Sequence, residues 1–364
     1  MLNTLKAFMR LESASSLVLL AMTLLAMLAA NSPFASLYSE IQAPVPMLVI
    51  NEGLMALFFL CIGIEVRQET RGSLSQLRLP LAAACGGVVV PALIFLFLNR
   101  DGAALRGWAV PTATDIAFSL GMLSLFGSRV PPALRMFLLS VAVFDDLIAV
   151  LVIALFYTQG IEWLGLLFAL GCLLLLGLYN RHVRKLAPFL FAGAALWLAL
   201  FDAGVNPALA GVALGLLLPA DLGKRVLRFL HVPVDFIVVP VFVLANAGLP
   251  LEGLGLSALE HPVSAGIAGG LFFGKQGGIF LTSCIAIRLG WAKLPDGCGW
   301  KQLYAVSLLG GIGFTMSLFI GTLAFGDTTF MSYAKLGVLT GSLASAAAGI
   351  ICMALSLQRG SKRP

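Results

Sequence analysis

Two adjacent aspartates, Asp145 and Asp146, lie in the middle of an apolar run from Ala133 to Phe156. The run is long enough to cross a bilayer, where each charge costs roughly 2.5–3.5 kcal/mol or more. Neighbouring side chains on a helix point about 100° apart, so one carboxylate can meet a protein partner while the other faces a cavity. Such a pair predicts a site that exchanges protons and offers hard oxygens to a small cation, Na⁺ or Li⁺.

Lys275 is a further ionisable residue in mid-span, within a glycine-rich stretch at residues 269–278. A buried lysine keeps its charge only beside a carboxylate, and either Asp145 or Asp115 can supply one. The flanking glycines allow another helix to come close. The pair either takes part in ion exchange or only holds helices together, and the sequence leaves both roles open.

Two apolar segments are poor continuous helices. In the first, Pro111 removes a backbone donor shortly before Thr114 and Asp115. The second contains three clustered glycines, Gly310, Gly311 and Gly313. Because irregular backbone at membrane depth is tolerated only inside protein or beside a water-filled cavity, the breaks predict a binding site where the segments cross, near the bilayer midplane. There Asp115 can neutralise exposed helix N-termini, and Thr114 adds a hydroxyl.

The composition indicates a polytopic membrane protein. Of the 364 residues, 60% are hydrophobic and 11% are charged, whereas soluble domains carry about 25% charged residues. The net charge is +6, but the basic residues are dispersed in short loops, which argues against nucleic acid as a partner. We predict an all-α membrane protein, a single transporter domain over residues 1–364 without a cofactor. About twelve spans are expected, at 13–31, 47–66, 79–98, 107–126, 133–157, 162–180, 186–201, 204–219, 231–250, 264–287, 303–325 and 331–357.

Lysine and arginine indicate the orientation, because cytoplasmic loops are enriched in them. With twelve spans and both termini in the cytoplasm, only Arg100 and Arg106 fall outside, and Lys275 and Lys335 fall within spans. All other lysines and arginines are then cytoplasmic. This asymmetry supports both the orientation and an even number of spans. The first apolar run is long for a signal peptide and no clear cleavage site follows it, so we expect a retained helix.

A weak internal repeat relates the two interrupted segments. Ala109-Val110 matches Ala305-Val306, and residues 116–120 match residues 312–316 at the same offset. In the predicted topology the two segments cross the membrane in opposite directions. Inverted repeats of this kind, here roughly 79–157 and 264–357, are common in secondary transporters, whose substrate sites lie at broken helices.

Taken together, these motifs resemble the NhaA-type sodium/proton antiporters, in order from the second span to the eleventh. The stretches that carry the resemblance are Ala113-Thr114-Asp115-Ile116-Ala117-Phe118, Gly127-Ser128-Arg129-Val130-Pro131, Asp145-Asp146-Leu147, Ala245-Asn246-Ala247-Gly248, Gly274-Lys275 and Gly311-Ile312-Gly313-Phe314-Thr315-Met316-Ser317. The resemblance implies that Asp146 is a main cation ligand and that Asp145 is the second acid, paired with Lys275. It also implies that Thr114 and Asp115 line the crossing.

The resemblance assigns further residues near the two membrane surfaces. Glu65, Arg67 and Glu69 match a family stretch at the cytoplasmic mouth, although Ile64, Arg67 and Gln68 are substitutions. Glu52 stands toward the external side, where an aspartate is usual.

Three departures from the family pattern affect regulation and assembly. Asn206 stands where a histidine is usual, and Leu227-Arg228 replace an acidic residue and a histidine, while His231 remains. Because histidine titrates near neutral pH and asparagine does not, the usual pH regulation is expected to be altered. The short connection at residues 31–46 leaves little room for the β-hairpin that forms dimers in relatives, so a homodimer would use other surfaces.

We therefore predict exchange of Na⁺ or Li⁺ for H⁺, at one site where cation and protons compete and whose exposure alternates across the bilayer. Release of two protons per cation would make the exchange electrogenic. As a secondary transporter, the protein would not be an enzyme.

Two alternatives are a cation channel and an intramembrane aspartyl protease. A channel has no need of a lysine paired to titrating acids. The two acids of the protease come from different helices, whereas Asp145 and Asp146 are adjacent.

Overall fold

The computed structural model describes residues 13–70, 74–100, 102–158, 160, 162–182, 185–252, 255–326 and 328–360. The predicted cytoplasmic termini lie outside these residues. All regular elements in the described ranges are helical, which confirms the all-α prediction. The helices are α1 (Ala14–Ala30), α2 (Ala35–Ile41), α3 (Pro44–Glu69), α4 (Leu74–Leu98), α5 (Gly102–Leu105), α6 (Ile116–Ser124), α7 (Pro132–Phe156), α8 (Trp163–His182), α9 (Leu186–Asp202), α10 (Leu209–Leu217), α11 (Ala220–Asn246), α12 (Pro262–Arg288), α13 (Trp300–Leu309), α14 (Phe314–Phe325) and α15 (Thr329–Gly360).

The described chain has seven helices that are long and apolar enough to cross a membrane, namely α3, α4, α7, α8, α11, α12 and α15. Helices α13 and α14 together make an eighth span, which is bent by 43° at its break. The apolar helices α1 and α9 are shorter. Each predicted span has a helical counterpart, but the number twelve is approximate because several counterparts are short or interrupted.

Helix α2 occupies much of the short connection at residues 31–46. Its Tyr38 hydroxyl donates to the Leu244 carbonyl at 2.7 Å and accepts a hydrogen bond from the Gly248 N–H at 3.1 Å. Burial raises the pKa of Tyr38 to about 12, so the phenol remains a donor across the physiological range. The side chain thus fixes α2 against the C-terminal end of α11.

The chain divides into two compact units by its internal contacts. The first unit comprises residues 1–21, 72–146 and 249–364, and the second comprises residues 22–71 and 147–248. In the first unit, α4 and α12 approach so closely that a Cβ on Gly274 would lie 2.6 Å from the Pro91 Cα. In the second, a Cβ on Gly215 of α10 would lie 2.6 Å from the Leu60 carbonyl of α3. Glycine therefore permits a close approach of two helices in each unit.

Candidate cation and proton site

The paired aspartates lie midway along α7, a helix of 25 residues. Asp145 is 1% exposed and Asp146 is 0% exposed. A helix of this length is about 37 Å long, so both carboxylates lie far from either end. Their position is therefore the costly one that the sequence indicated.

Lys275 forms an ion pair with Asp145 through its Nζ atom and the Oδ2 atom of the carboxylate, and both side chains are fully buried. Of the two partners considered from the sequence, the structure pairs Lys275 with Asp145 and not with Asp115. Asp146 also interacts electrostatically with this lysine. Lys275 ends a π-helical stretch, Gly270–Lys275, within α12, and such bulges are frequent at functional sites.

The Thr114 hydroxyl lies 2.7 Å from Asp145 Oδ2 and 2.8 Å from the Gly310 carbonyl oxygen. A hydroxyl has a single proton, so it donates to one of these acceptors at a time. Asp145 Oδ1 is also buried, and it has no hydrogen-bond donor among the described residues. Leaving a buried carboxylate oxygen without a donor is costly, and a bound cation would satisfy this atom.

The first interrupted segment breaks at residues 113–115, between a 3₁₀ helix at Arg106–Thr112 and α6. Pro111 lies in the last turn of the 3₁₀ helix. Asp115 is the N-cap of α6, and its Oδ1 accepts the Phe118 N–H at 3.0 Å. Its Oδ2 accepts the Thr315 N–H at 3.0 Å and the Thr315 hydroxyl at 2.5 Å. One carboxylate therefore faces the positive N-terminal ends of α6 and α14.

The second interrupted segment breaks at residues 310–313, between α13 and α14. A Cβ on Gly311 would lie 2.5 Å from the Leu271 carbonyl oxygen, and one on Gly313 would lie 3.0 Å from the Ala113 carbonyl oxygen. These positions require glycine because the backbone of a neighbouring segment is too close for a side chain. The Asp115 N–H donates to the Ile312 carbonyl at 2.6 Å, so the two breaks meet directly.

Sequence reasoning missed two hydroxyls that support the breaks. Ser342 of α15 accepts the Phe314 N–H at 3.2 Å, and Ser119 of α6 donates to the Leu309 carbonyl at 2.9 Å. Thr315 lies within one of the stretches that resemble the antiporter family, but the sequence predicted no role for it. The need for acceptors at the start of α14 is visible in the sequence, because the first N–H groups of a helix lack internal partners. Which side chains supply them is visible only in three dimensions.

The remaining predicted residues belong to the second unit. Glu52 lies in a π-helical stretch of α3, where its Oε1 is 3.4 Å from Asn206 Nδ2 and its carbonyl accepts the Trp197 indole N–H at 3.0 Å. Its Oε2 is buried without a hydrogen-bond partner among the described residues. Asn206, the residue that replaces the family histidine, is therefore a direct partner of Glu52.

Near the other end of α3, His231 Nδ1 lies 2.9 Å from Asp235 Oδ2, one turn further along α11. Glu65 interacts electrostatically with both side chains. Arg67 donates instead to the carbonyls of Leu216 and Leu218, at the C-terminal end of α10, and Glu69 lies in the last turn of α3. The structure thus brings Glu65 and His231 together, and it adds Asp235, which belongs to no recognised motif.

The polar groups of the site present oxygen atoms, which hard cations prefer. They are the carboxylates of Asp145 and Asp146, the Thr114 hydroxyl and the Gly310 carbonyl. The described ranges contain no group of three His, Cys, Asp or Glu side chains that could hold a resident metal. The six cysteines are free thiols.

Comparison with known proteins agrees with the resemblance seen in the sequence. A family model described as Na⁺/H⁺ antiporter 1 matches residues 6–353. The chain is 46% identical to a protein named Na⁺/H⁺ antiporter NhaA from Rhodospirillum rubrum, over 98% of each chain. It is 47% identical to a protein of the same name from Caulobacter vibrioides, over 98% of this chain and 92% of the relative.

The fold is also similar to that of a solved structure. The sodium proton antiporter MjNhaP1 from Methanocaldococcus jannaschii superimposes with a TM-score of 0.56 over 99% of each chain, at 16% sequence identity. At this identity the similarity concerns the fold alone. The match of the family model and the identity to curated relatives over nearly the full length settle the membership: the chain belongs to the Na⁺/H⁺ antiporter 1 family.

Proposed function

We propose that this protein is a secondary transporter that exchanges Na⁺, or Li⁺, for H⁺ across the inner membrane of a bacterium. The observation that carries the proposal is the buried Lys275–Asp145 ion pair beside a second buried carboxylate, Asp146. A purely structural ion pair would not need the second acid. The names of the relatives support the same substrates, since these proteins are called Na⁺/H⁺ antiporters.

Cation and protons compete for the same carboxylates. Asp145 Oδ2 is shared by Lys275 and Thr114, so a cation that uses this atom has to displace the ammonium group. Asp145 Oδ1 and the Asp146 carboxylate provide further oxygens in the buried site. A bound cation favours the ionised acids and drives protons off, whereas protonation weakens the cation's ligands and releases it.

Asp115 has a positioning role in this scheme. Its two oxygens are engaged by Phe118 and Thr315 at the two helix starts, so it holds the breaks rather than binding the cation directly. The fixed breaks keep Thr114 and the Gly310 carbonyl beside Asp145.

The exchange is electrogenic if two protons cross for each monovalent cation, because one net charge then moves in each cycle. Membrane potential and pH gradient would both drive sodium out and protons in, which serves sodium and pH homeostasis. Both chain termini face the cytoplasm in this scheme. Repeat units at roughly 79–157 and 264–357 would supply the two broken helices in opposite orientations.

Two groups of residues outside the site complete the proposal. Glu65, Arg67, Glu69 and His231 form the cytoplasmic mouth, and Glu52 lies on the external side. A homodimer would use surfaces other than the connection at residues 31–46, much of which α2 occupies.

Inverted membrane vesicles with an imposed pH gradient test the exchange. Addition of Na⁺ to vesicles that contain the wild-type protein should dissipate the gradient, and the response should vanish with Asp146→Asn. The matched control is Asp296→Asn, which neutralises an exposed aspartate in a loop and should leave the response intact. A gradient that does not respond to Na⁺ in vesicles with folded wild-type protein would rule out the exchange. Sodium flux without coupled proton movement would favour a channel.

A further inference from the structure

The exposed face of α11 changes from charged to apolar along the helix. Near its start, the exposed residues include three basic side chains and one acidic one, Lys224, Arg225, Arg228 and Asp221. From Phe229 onward most of the large exposed side chains are apolar, with Phe229 76%, Val232 42% and Ile237 61% exposed. The exception is His231, which is exposed and pairs with Asp235. Such an ordered change along one face is typical of a helix that passes from the lipid headgroups into the hydrocarbon core.

The length of α11 gives an independent position for the boundary between the lipid headgroups and the hydrocarbon core. Residues 229–246 of the helix extend about 27 Å, at about 1.5 Å per residue. The hydrocarbon core of a bilayer is about 30 Å thick, so the part of α11 that begins at Phe229 nearly spans it. The preceding turns, with their basic residues, therefore lie at the level of the headgroups.

An open cavity of about 310 Å³ lies beside these turns, within the second unit. Its lining includes two cationic side chains, Arg67 and Lys224, and no carboxylate. Hydrogen bonds to the carbonyls of Leu216 and Leu218 hold the Arg67 guanidinium in place. Within the described part of the chain, Lys224, Arg225 and Arg228 form no ion pair with an acidic side chain. Asp221 is the one acidic side chain among the exposed residues at this start of the helix, so the three basic residues leave it with a net positive charge.

We propose that the basic start of α11 and the adjoining cavity bind the phosphate group of an anionic phospholipid. Arginine and lysine are the side chains that recognise phosphate oxygens, and here they stand at the headgroup level beside a cavity that can admit the group. In the predicted orientation this end of α11 faces the cytoplasmic leaflet, whose anionic lipids attract basic segments next to a membrane span. The lipid chains would lie against the exposed Phe229 and Val232.

The experiment is a lipid titration of the purified full-length protein in mild detergent, with the melting temperature as the readout. Phosphatidylglycerol should raise the melting temperature more than phosphatidylcholine with the same acyl chains. The triple variant Lys224→Gln/Arg225→Gln/Arg228→Gln should lose this difference, with about a hundredfold weaker apparent affinity for phosphatidylglycerol, since each of the three basic residues contributes about fivefold. All three substitutions are at exposed helix positions, where glutamine is well tolerated.

The matched control removes the same charge from another surface. Arg288→Gln/Lys293→Gln/Lys301→Gln changes three exposed basic residues in the first unit and should keep the wild-type response. Equal loss in both triple variants would overturn the proposal, because it would show a general attraction between charges. An unchanged response after the α11 substitutions would overturn it as well.

Glycerol 3-phosphate tests the source of the phosphate group. If it stabilises the protein as much as phosphatidylglycerol does, the ligand is a soluble phosphate and the proposal of a lipid is wrong. If the triple variant does not fold, the single variants Lys224→Gln and Arg228→Gln make the same comparison. The readout does not depend on transport, so it tests the lipid site separately from the exchange.

Discussion

Asp115 accepts two hydrogen bonds from Thr315, which lies 200 residues further along the chain. One comes from the backbone N–H at 3.0 Å and the other from the hydroxyl at 2.5 Å. Because Asp115 also caps its own helix through the Phe118 N–H, a single carboxylate fixes the starts of two half-helices. Thr114, one residue earlier, is thereby held between Asp145 and the Gly310 carbonyl.

Removal of the Thr315 hydroxyl should destabilise the crossing. Thr315→Val keeps the shape of the side chain and the backbone N–H, but it removes one donor to a buried carboxylate. Hydrogen bonds to charged groups contribute about 1.5–3 kcal/mol, so we expect the free energy of unfolding to fall by about this amount. The measurement is unfolding of the purified protein, monitored by intrinsic fluorescence.

The control for this variant is Thr322→Val in the same helix. The Thr322 hydroxyl donates to the Phe319 carbonyl within α14, at 2.7 Å, and does not reach Asp115. Its removal should have a smaller effect on unfolding. Equal losses in the two variants would show that the link from Thr315 to Asp115 has no special importance.

The Lys275–Asp145 pair should behave as a coupled unit. Lys275→Met leaves a buried carboxylate without its cation, and breaking a buried ion pair in this way costs about 3–5 kcal/mol. The double variant Lys275→Met/Asp145→Asn should recover part of this loss, because the carboxylate that paired directly with Lys275 is then neutral. The buried Asp146 carboxylate stays in both variants. A double-mutant cycle of unfolding free energies measures the coupling. Additive losses would mean that the two side chains do not depend on each other.

Asn206 offers a gain-of-function test of the altered pH control. The wild-type exchange rate should lack a steep step in the range where histidine titrates. In Asn206→His, an imidazole would stand beside Glu52, whose Oε1 lies 3.4 Å from the asparagine nitrogen. Protonation near its ordinary pKa of about 6.5, favoured further by the carboxylate, should add a step to the pH profile of the exchange rate.

The control for the histidine variant is Asn206→Gln, which retains an amide and has no titrating group. Its pH profile should follow that of the wild type. If the histidine and glutamine variants give the same profile, the contact between residue 206 and Glu52 does not affect the exchange.

The residues predicted from the sequence are those whose chemistry conflicts with an apolar environment. Asp145, Asp146 and Lys275 stand out because charge within a membrane span is costly. The breaks could be located because Pro111 and the clustered glycines change what the backbone can do. Spacing along the chain gives no distance between helices, so the choice between Asp145 and Asp115 as partner of Lys275 needed the structure.

Hydroxyl residues and span lengths were less predictable. Ser342 and Thr315 resemble many other hydroxyl residues in apolar helices, and each acts on a segment that is distant in sequence. The count of spans was approximate because short and largely buried helices, such as α10, need not extend across the whole bilayer. In both cases the outcome depends on how segments that are distant in sequence pack together, and a local sequence pattern does not predict that packing.

Competition between cation and protons at Asp145 and Asp146 is tested most directly by calorimetric titration of the purified protein with Na⁺, in buffers that differ in ionisation enthalpy. If binding displaces protons, the measured heat should vary with the buffer, and its slope gives the number of protons released per cation. Apparent affinity should fall as the pH is lowered, by about tenfold per pH unit for each proton that must leave. Asp146→Asn should abolish the Na⁺ heat. Strong Na⁺ binding with the same heat in every buffer would contradict the account.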